Sequence, residues 1–145
     1  MSSSVAHLQI NISPDHLPYY RELFGKLGWQ TLYDEHGFLG VGGASGPSLW
    51  FAGVSNGHVN DYDGPGLNHL AIGLPSVAEV DAMAAWLTER GTAMLFETPR
   101  HRPEFAGGED QTYYQIMFET PDRVLVEMVY TGAKQSAAMG AMSRA

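Results

Sequence analysis

A carboxylate stands in the middle of the most apolar strand that the sequence predicts. From Val124 to Tyr130 every residue is apolar or aromatic except Glu127, and a strand of this kind is normally covered on both faces. A buried, ionised carboxylate is costly unless it is paired, hydrogen-bonded or bound to a metal. Glu127 therefore needs a partner. The best candidates are His7 and His69, which are placed alike in two earlier predicted strands.

Two imidazoles and one carboxylate form a ligand set for a divalent metal ion. Such a facial triad binds Fe, Mn, Ni, Co or Zn and leaves coordination positions open for a substrate. The chain has no cysteine, so any metal has to be held by His, Asp or Glu. We predict one divalent ion bound by His7, His69 and Glu127, and the sequence does not choose among the five metals.

The elements that carry these residues repeat along the chain. The first half predicts the order β-α-β-β-β: a strand at His7–Ile12, a helix opened by Ser13-Pro14 and ended by Gly28, and strands at Trp29–Tyr33, Phe38–Val41 and Ser48–Ala52. The second half predicts the same order: a strand at Leu67–Leu74, a helix capped by Ser76 and Glu79, a strand at Thr92–Phe96, a loop at Glu97–Gln111, and two closing strands within Thr112–Tyr130. This internal duplication predicts one domain over residues 1–145, with module 1 at about 6–53, a linker at 54–66, module 2 at about 67–131 and a tail at 132–145.

Composition limits the partners that the protein can have. The net charge is −8 and no cluster of Lys or Arg is present, which argues against nucleic acids and anionic membranes. No apolar run approaches the length of a membrane span, and the first ten residues lack the features of a signal peptide. Phosphate-binding loops, H-E-x-x-H and nucleophile elbows are also missing from the sequence. We therefore expect a cytoplasmic protein whose partner is a small molecule.

Four segments resemble the vicinal oxygen chelate superfamily, which contains glyoxalase I, the extradiol catechol dioxygenases, and the fosfomycin- and bleomycin-resistance proteins. These segments are HLQI at 7–10, YYRELFGKLGW at 19–29, LNHLAI at 67–72 and FETPDRVLVEMV at 118–129. The last is similar to the family ending F-x-D-P-D-G-x-x-x-E, with Glu127 at the position of its Glu. It departs from that ending at Thr120 and Arg123, which replace the usual Asp and Gly.

The resemblance implies an α+β fold in which two βαβββ modules pair into a cupped, open mixed β-barrel with a central metal cavity. It matches His7, His69 and Glu127 to three of the family's ligand positions, and it implies a homodimer. The fourth ligand position falls at or near Trp50, where glyoxalase I has a Glu. Because tryptophan is neither a ligand nor a base, the resemblance points away from lactoylglutathione lyase activity. It points toward the fosfomycin-resistance transferases and the metal-binding module of the dioxygenases.

This reading predicts a metal-dependent enzyme whose small substrate binds the metal through two vicinal oxygens. The reaction would be that of a dioxygenase with Fe, or that of a lyase, isomerase or transferase with the other metals. Trp50, Tyr113 and Gln115 are the residues expected to line the substrate pocket. Strand neighbours face oppositely, so at least one of Tyr113 and Tyr114 should face the cavity. Tyr114 and His101, which lies in a long loop, are the candidate catalytic residues.

Two alternatives remain open on the sequence. The first is a metal-free protein that binds a drug or metabolite in the manner of the bleomycin-resistance proteins, with the three residues hydrogen-bonding each other or the ligand. The second is a scaffold whose site has decayed, which Trp50 at the fourth ligand position would allow. Replacing His69 by Ala separates the enzyme from the binding protein, because only the enzyme loses bound metal.

Overall fold

The chain folds as two βαβββ units, as the sequence predicted. The structure is a computed structural model that describes residues 1–135, so residues 136–145 of the predicted tail lie outside it. The elements are β1 His7–Ile12, α1 Leu17–Lys26, β2 Gln30–Glu35, β3 Phe38–Gly42, β4 Ser48–Gly53, β5 Leu70–Gly73, α2 Val77–Glu89, β6 Arg100–His101, β7 Gln111–Glu119 and β8 Leu125–Ala133. The first unit ends at Val59, inside the segment predicted as a linker, and the second begins at Asn60.

The first unit is a four-stranded sheet with one helix on it. Its strand order is β1-β4-β3-β2, with β1 and β4 parallel and the other pairs antiparallel. Tyr20 and Phe24 of α1 are buried against Phe51 of β4, and the rings of Tyr20 and Phe51 stack at 4.5 Å between centroids. These apolar contacts pack the sheet against α1. The strand residues that alternate with the apolar ones lie on the other face of the sheet.

The second unit repeats this topology. Its strand order is β5-β8-β7-β6, with β5 and β8 parallel and the other pairs antiparallel. The core between α2 and the sheet consists of buried apolar residues that include Val80, Leu87, Ile116, Phe118 and Met128. Glu127 is the neighbour of Met128 in β8, and neighbours in a strand face oppositely. The side chain of Glu127 therefore lies on the face of β8 away from α2.

The helix boundaries largely follow the predicted signals. Ser76 caps α2, and its Oγ accepts a hydrogen bond from the Glu79 backbone N–H at 3.1 Å, as expected of an N-cap. Gly28 follows α1 with a φ of +76°, the left-handed conformation that glycine adopts without strain. Pro14 opens a short 3-10 turn, Pro14–His16, rather than the α-helix itself, which begins at Leu17.

The strand predicted at Thr92–Phe96 is wrong. Leu95 N–H does donate to Met117 O at 2.8 Å, but Phe96 and Glu97 adopt φ values of +55° and +60°. Two consecutive residues in the left-handed region turn the chain away from β7 and end any ladder. The second strand of the module is instead the two-residue β6, which lies inside the segment predicted as a loop.

The turn between β7 and β8 is built by the two residues that depart from the family ending. Thr120 Oγ1 accepts the Val124 N–H at 3.1 Å and the Asp122 N–H at 3.3 Å, which is the role that a turn aspartate fills. Arg123 has a φ of +56°, in the region that favours glycine. The turn is thus closed by Thr120 with some backbone strain at Arg123, and it leads into β8, which carries Glu127.

No helix within residues 1–135 is long and apolar enough to cross a membrane.

Candidate functional site

Glu127 is the buried acid of the second unit. It pairs with Ala71 of β5 on one side and with Met117 of β7 on the other, and it is 3% exposed. Removal from water at the centre of a sheet requires that both carboxylate oxygens find partners. The structure supplies one partner for each oxygen.

Tyr113 and His69 are those partners. The Tyr113 hydroxyl donates to Glu127 Oε1 at 2.5 Å, and His69 Nε2 lies 3.1 Å from Glu127 Oε2. Tyr113 is on β7 and His69 immediately precedes β5, so the two partners approach Glu127 from both neighbouring strands. His69 is thus the partner that a buried Glu127 requires, whereas its role as a metal ligand stays a prediction.

Asn68 determines which nitrogen of His69 carries a proton. The Asn68 side-chain N–H donates to the Tyr62 carbonyl oxygen at 3.0 Å, and this fixes the orientation of the amide because a carbonyl can only accept. Asn68 Oδ1 then lies 2.7 Å from His69 Nδ1, so Nδ1 is the donor in that bond. His69 Nε2 is left to face the carboxylate. Asn68 was not among the site residues predicted from the sequence, although it directly precedes His69.

Tyr113 reaches Glu127 along the sheet rather than across it. Its cross-strand neighbour is Thr131, while Glu127 is opposite Met117, about 13 Å farther along the strand. The two side chains therefore lean toward each other over Gln115, which shares their face and is 3% exposed. Burial, and then the hydrogen bond and charge of Glu127, raise the pKa of Tyr113 to about 12, so the hydroxyl remains a donor at neutral pH.

The two candidate catalytic residues lie on the opposite face of this sheet. Tyr114 donates to Asp81 Oδ1 of α2 at 2.5 Å, so its hydroxyl is on the helix side. His101 is the cross-strand neighbour of Tyr114, and the two rings are 4.8 Å apart. Its Nδ1 lies 2.5 Å from Thr112 Oγ1. Of the two adjacent tyrosines, it is Tyr113 that contacts Glu127.

The first unit carries an open aromatic cleft on the sheet face away from α1. This first-unit cleft has a volume of about 580 Å³ and is lined by His7, Gln9, Tyr33, Phe38, Ser48 and Trp50. Trp50 Nε1 donates to Ser48 Oγ at 3.0 Å. The indole lies over Gly40, where a Cβ would come within 2.6 Å of the ring. A glycine at this position is therefore what lets the indole lie against β3.

His7 is exposed at the first-unit cleft, and His69 and Glu127 belong to the second unit. Within residues 1–135, no group of three or more His, Asp or Glu side chains is gathered closely enough to hold a metal ion. The structure thus brings together two of the three predicted ligands, and a complete His-His-Glu site stays a prediction.

Known proteins resemble the chain in fold more than in sequence. No protein-family model matches it. A 64-residue stretch is 44% identical to YqjT of Bacillus subtilis, and this match spans 44% of the chain and 46% of YqjT. The chain therefore aligns with less than half the length of that relative.

Solved structures match over nearly the whole chain. A glyoxalase-type protein of Bacillus halodurans is 27% identical, with a TM-score of 0.71 over 87% of this chain and 94% of that one. A glyoxalase/dioxygenase of Nostoc punctiforme has a TM-score of 0.67 at 16% identity, covering 89% and 91%. The fosfomycin resistance protein FosX of Listeria monocytogenes has a TM-score of 0.63 at 18% identity, covering 97% and 99%.

These neighbours have the fold that the duplicated βαβββ order, the buried Glu127 and its closing hairpin indicate. The structural neighbours are members of the vicinal oxygen chelate superfamily, and the chain shares their fold.

Proposed function

We propose that the protein is a metal-dependent enzyme of the glyoxalase/dioxygenase type, which binds a small substrate through two vicinal oxygens. His7, His69 and Glu127 would hold one divalent ion of Fe, Mn, Ni, Co or Zn. The observation that carries the proposal is the placement of His69 Nε2 at 3.1 Å from Glu127 Oε2 in the second unit.

The donor chemistry of this pair fits a cation. Because His69 Nδ1 donates to Asn68, a neutral imidazole would turn the lone pair of Nε2 toward a carboxylate oxygen. Two lone pairs facing each other repel unless a proton or a metal ion lies between them. A histidine with Nδ1–H held by an amide oxygen and Nε2 free is the arrangement in which imidazole binds metals.

The surrounding residues would prepare the two donors. The amide of Asn68 fixes the ring of His69, and the Tyr113 hydroxyl holds Glu127 Oε1 so that Oε2 stays directed at the histidine. A bound divalent ion would supply Lewis-acid stabilisation of the negative charge that develops on a chelating substrate oxygen. Gln115 and Tyr113, on the same sheet face as Glu127, would line the substrate pocket of the second unit. A role for Tyr114 or His101 in proton transfer stays a prediction.

The aromatic first-unit cleft supports a second candidate, a metal-free protein that binds a drug or metabolite. Tyr33, Phe38 and Trp50 present a largely apolar surface with few polar groups, which is typical of small-molecule sites. On this reading His7 would hydrogen-bond the ligand, and His69 and Glu127 would hydrogen-bond each other. Both candidates include a small-molecule partner and a homodimer as further proposals.

Elemental analysis of the purified protein separates the two candidates. The enzyme predicts about one divalent ion per chain, lost in His69→Ala and retained in His58→Ala, a histidine of the segment between β4 and β5. A fold check by circular dichroism accompanies each variant. Protein that stays metal-free after reconstitution with all five ions would exclude the enzyme. Binding of aromatic ligands by that metal-free protein, weakened by Trp50→Ala, would then support the second candidate.

A further inference from the structure

Arg102 lies beside Tyr113 on the sheet face that carries Glu127. The Arg102 N–H donates to the Tyr113 carbonyl oxygen at 2.7 Å, which continues the antiparallel pairing of β6 with β7 by one residue. Residues opposite each other in an antiparallel pair place their side chains on the same face. Arg102 is therefore on the face of Tyr113 and Glu127, away from α2.

The guanidinium of Arg102 is incompletely satisfied. Its side chain is 23% exposed, and within the described part of the chain its buried Nε has no hydrogen-bond acceptor. Its Nη1 reaches Glu104 Oε1 only at 3.5 Å, and Glu104 is 50% exposed. Because Nε is buried, an acceptor from outside the chain can reach Arg102 only at its terminal N–H groups, and of these Nη1 has only the long contact with Glu104.

A second cation, Arg100, lies near Arg102 at this edge of the sheet. Arg100, the cross-strand neighbour of Gln115, shares the same face. Its only ion pair in the described residues is with Glu97, which is 88% exposed and therefore screened by water. The carboxylate of Glu127 is already occupied by Tyr113 and His69.

We propose that the substrate carries a carboxylate, and that Arg102 binds it through the edge of the guanidinium that its two terminal nitrogens form. This edge of the guanidinium forms two parallel hydrogen bonds with a carboxylate. The inference rests on the proposed function: the two vicinal oxygens of the substrate would lie at the His69–Glu127 end and its carboxylate at the Arg102 end. Tyr113, which touches Glu127 and neighbours Arg102, stands between the two ends.

A matched pair of chelating probes tests the proposal. Catechol and 3,4-dihydroxybenzoate present the same vicinal oxygens, and only the second carries a carboxylate. We expect metal-loaded protein to bind 3,4-dihydroxybenzoate at least about tenfold more tightly in isothermal titration, which corresponds to one good charged contact. Arg102→Gln should abolish this preference and leave the affinity for catechol unchanged. Arg102→Lys should restore only part of it, because an ammonium lacks the planar fork.

Arg90→Gln is the control, since it removes the same charge from the same unit on the helix side. The Arg90 guanidinium lies 3.9 Å from the ring centre of Trp86 in α2. The preference for the carboxylate should survive in this variant. Equal binding of the two probes by the wild type, or a preference that survives Arg102→Gln, would overturn the inference and leave the metal site intact.

A metal-free arm keeps the two proposals apart. If metal-loaded protein binds neither probe, the proposed function fails, and binding of benzoate to metal-free protein decides the inference by itself. Loss of benzoate binding in Arg102→Gln but not in Arg90→Gln would support an anion site at Arg102. No measurable benzoate binding, or equal binding by all three proteins, would refute it.

Discussion

Trp50 and Glu127 occupy the same register position in the two sheets. Trp50 is the partner of Gln9, two residues after His7, and Glu127 is the partner of Ala71, two residues after His69. The duplicated topology therefore presents an indole in one unit where it presents a carboxylate in the other. In the first unit Trp50 lines the aromatic cleft, and in the second unit Glu127 belongs to the candidate chemical site.

The close contact between Gly40 and Trp50 makes Gly40→Ala a test of the first-unit cleft. The added Cβ would lie 2.6 Å from the indole, so Trp50 has to move. Overpacking of this kind costs about 1–3 kcal/mol. We expect the free energy of unfolding in urea to fall by that amount and the tryptophan fluorescence of the folded protein to change.

Gly73→Ala is the matched control for this substitution. Gly73 also lies in a strand, and a Cβ there meets no atom within 4 Å in the described structure. Its effect on stability should be smaller than that of Gly40→Ala, with unchanged fluorescence. Equal effects of the two substitutions would mean that the indole does not rest on β3.

Tyr113→Phe tests the hydrogen bond that orients Glu127. Loss of the hydroxyl leaves Oε1 of a buried carboxylate without its donor, which we expect to cost about 1.5–3 kcal/mol of stability. If Glu127 is a metal ligand, its loss of orientation should also weaken metal binding roughly 10–100-fold, as is usual for partners of ligands. Metal titration of the refolded, metal-free variant measures the second effect.

Tyr114→Phe provides the comparison for Tyr113→Phe. The Tyr114 hydroxyl contacts Asp81 on the helix side, so this variant should lose some stability and keep its metal affinity. Equal metal affinities for wild type, Tyr113→Phe and Tyr114→Phe would show that Tyr113 does not hold a ligand in place.

Tyr19 should make the free energy of unfolding of the first unit depend on pH. Its hydroxyl is buried without a hydrogen-bond partner within residues 1–135, and burial, followed by the charge of Glu22, raises its pKa to about 12. The unfolded tyrosine titrates near pH 10. The folded state therefore holds this proton more tightly, and its contribution to stability is complete below about pH 10 and is lost between about pH 10 and 12.

Tyr19→Phe should remove this part of the pH dependence. It should also raise stability at neutral pH by about 1 kcal/mol, because a buried donor without an acceptor is removed. Urea unfolding from pH 8 to 12 measures both effects. Glu22→Gln should reduce the pH dependence less than Tyr19→Phe, since its charge is the smaller cause. An unchanged pH profile in Tyr19→Phe would contradict the assignment.

The order of elements was predictable because the same local signals for helices and strands occur in both halves of the sequence. Ser76 and Gly28 mark helix ends by chemistry that depends on few neighbours. The strand predicted at Thr92–Phe96 is wrong because its alternation is strand-like, whereas Phe96 and Glu97 take positive φ values without a glycine. Conformations imposed by packing leave no such local signal.

Part of the candidate site was predictable, because a buried carboxylate needs hydrogen-bonding or charged partners. An acidic residue in an apolar strand required a donor, and His69 fulfils that requirement. The choice between Tyr113 and Tyr114 could not be made from the sequence, because adjacent strand residues differ only in the face they occupy. That choice depends on which face α2 covers, and the contact between Tyr114 and Asp81 decides it.

Metal titration of single-site variants tests the central claim most directly. We predict that metal-free wild type takes up about one divalent ion per chain, and that His7→Ala, His69→Ala and Glu127→Gln each weaken this binding severely without loss of fold. His36→Ala, an exposed turn histidine, should bind as the wild type does. Wild-type affinity in all three ligand variants, or loss of affinity in His36→Ala as well, would contradict a metal site built from His7, His69 and Glu127.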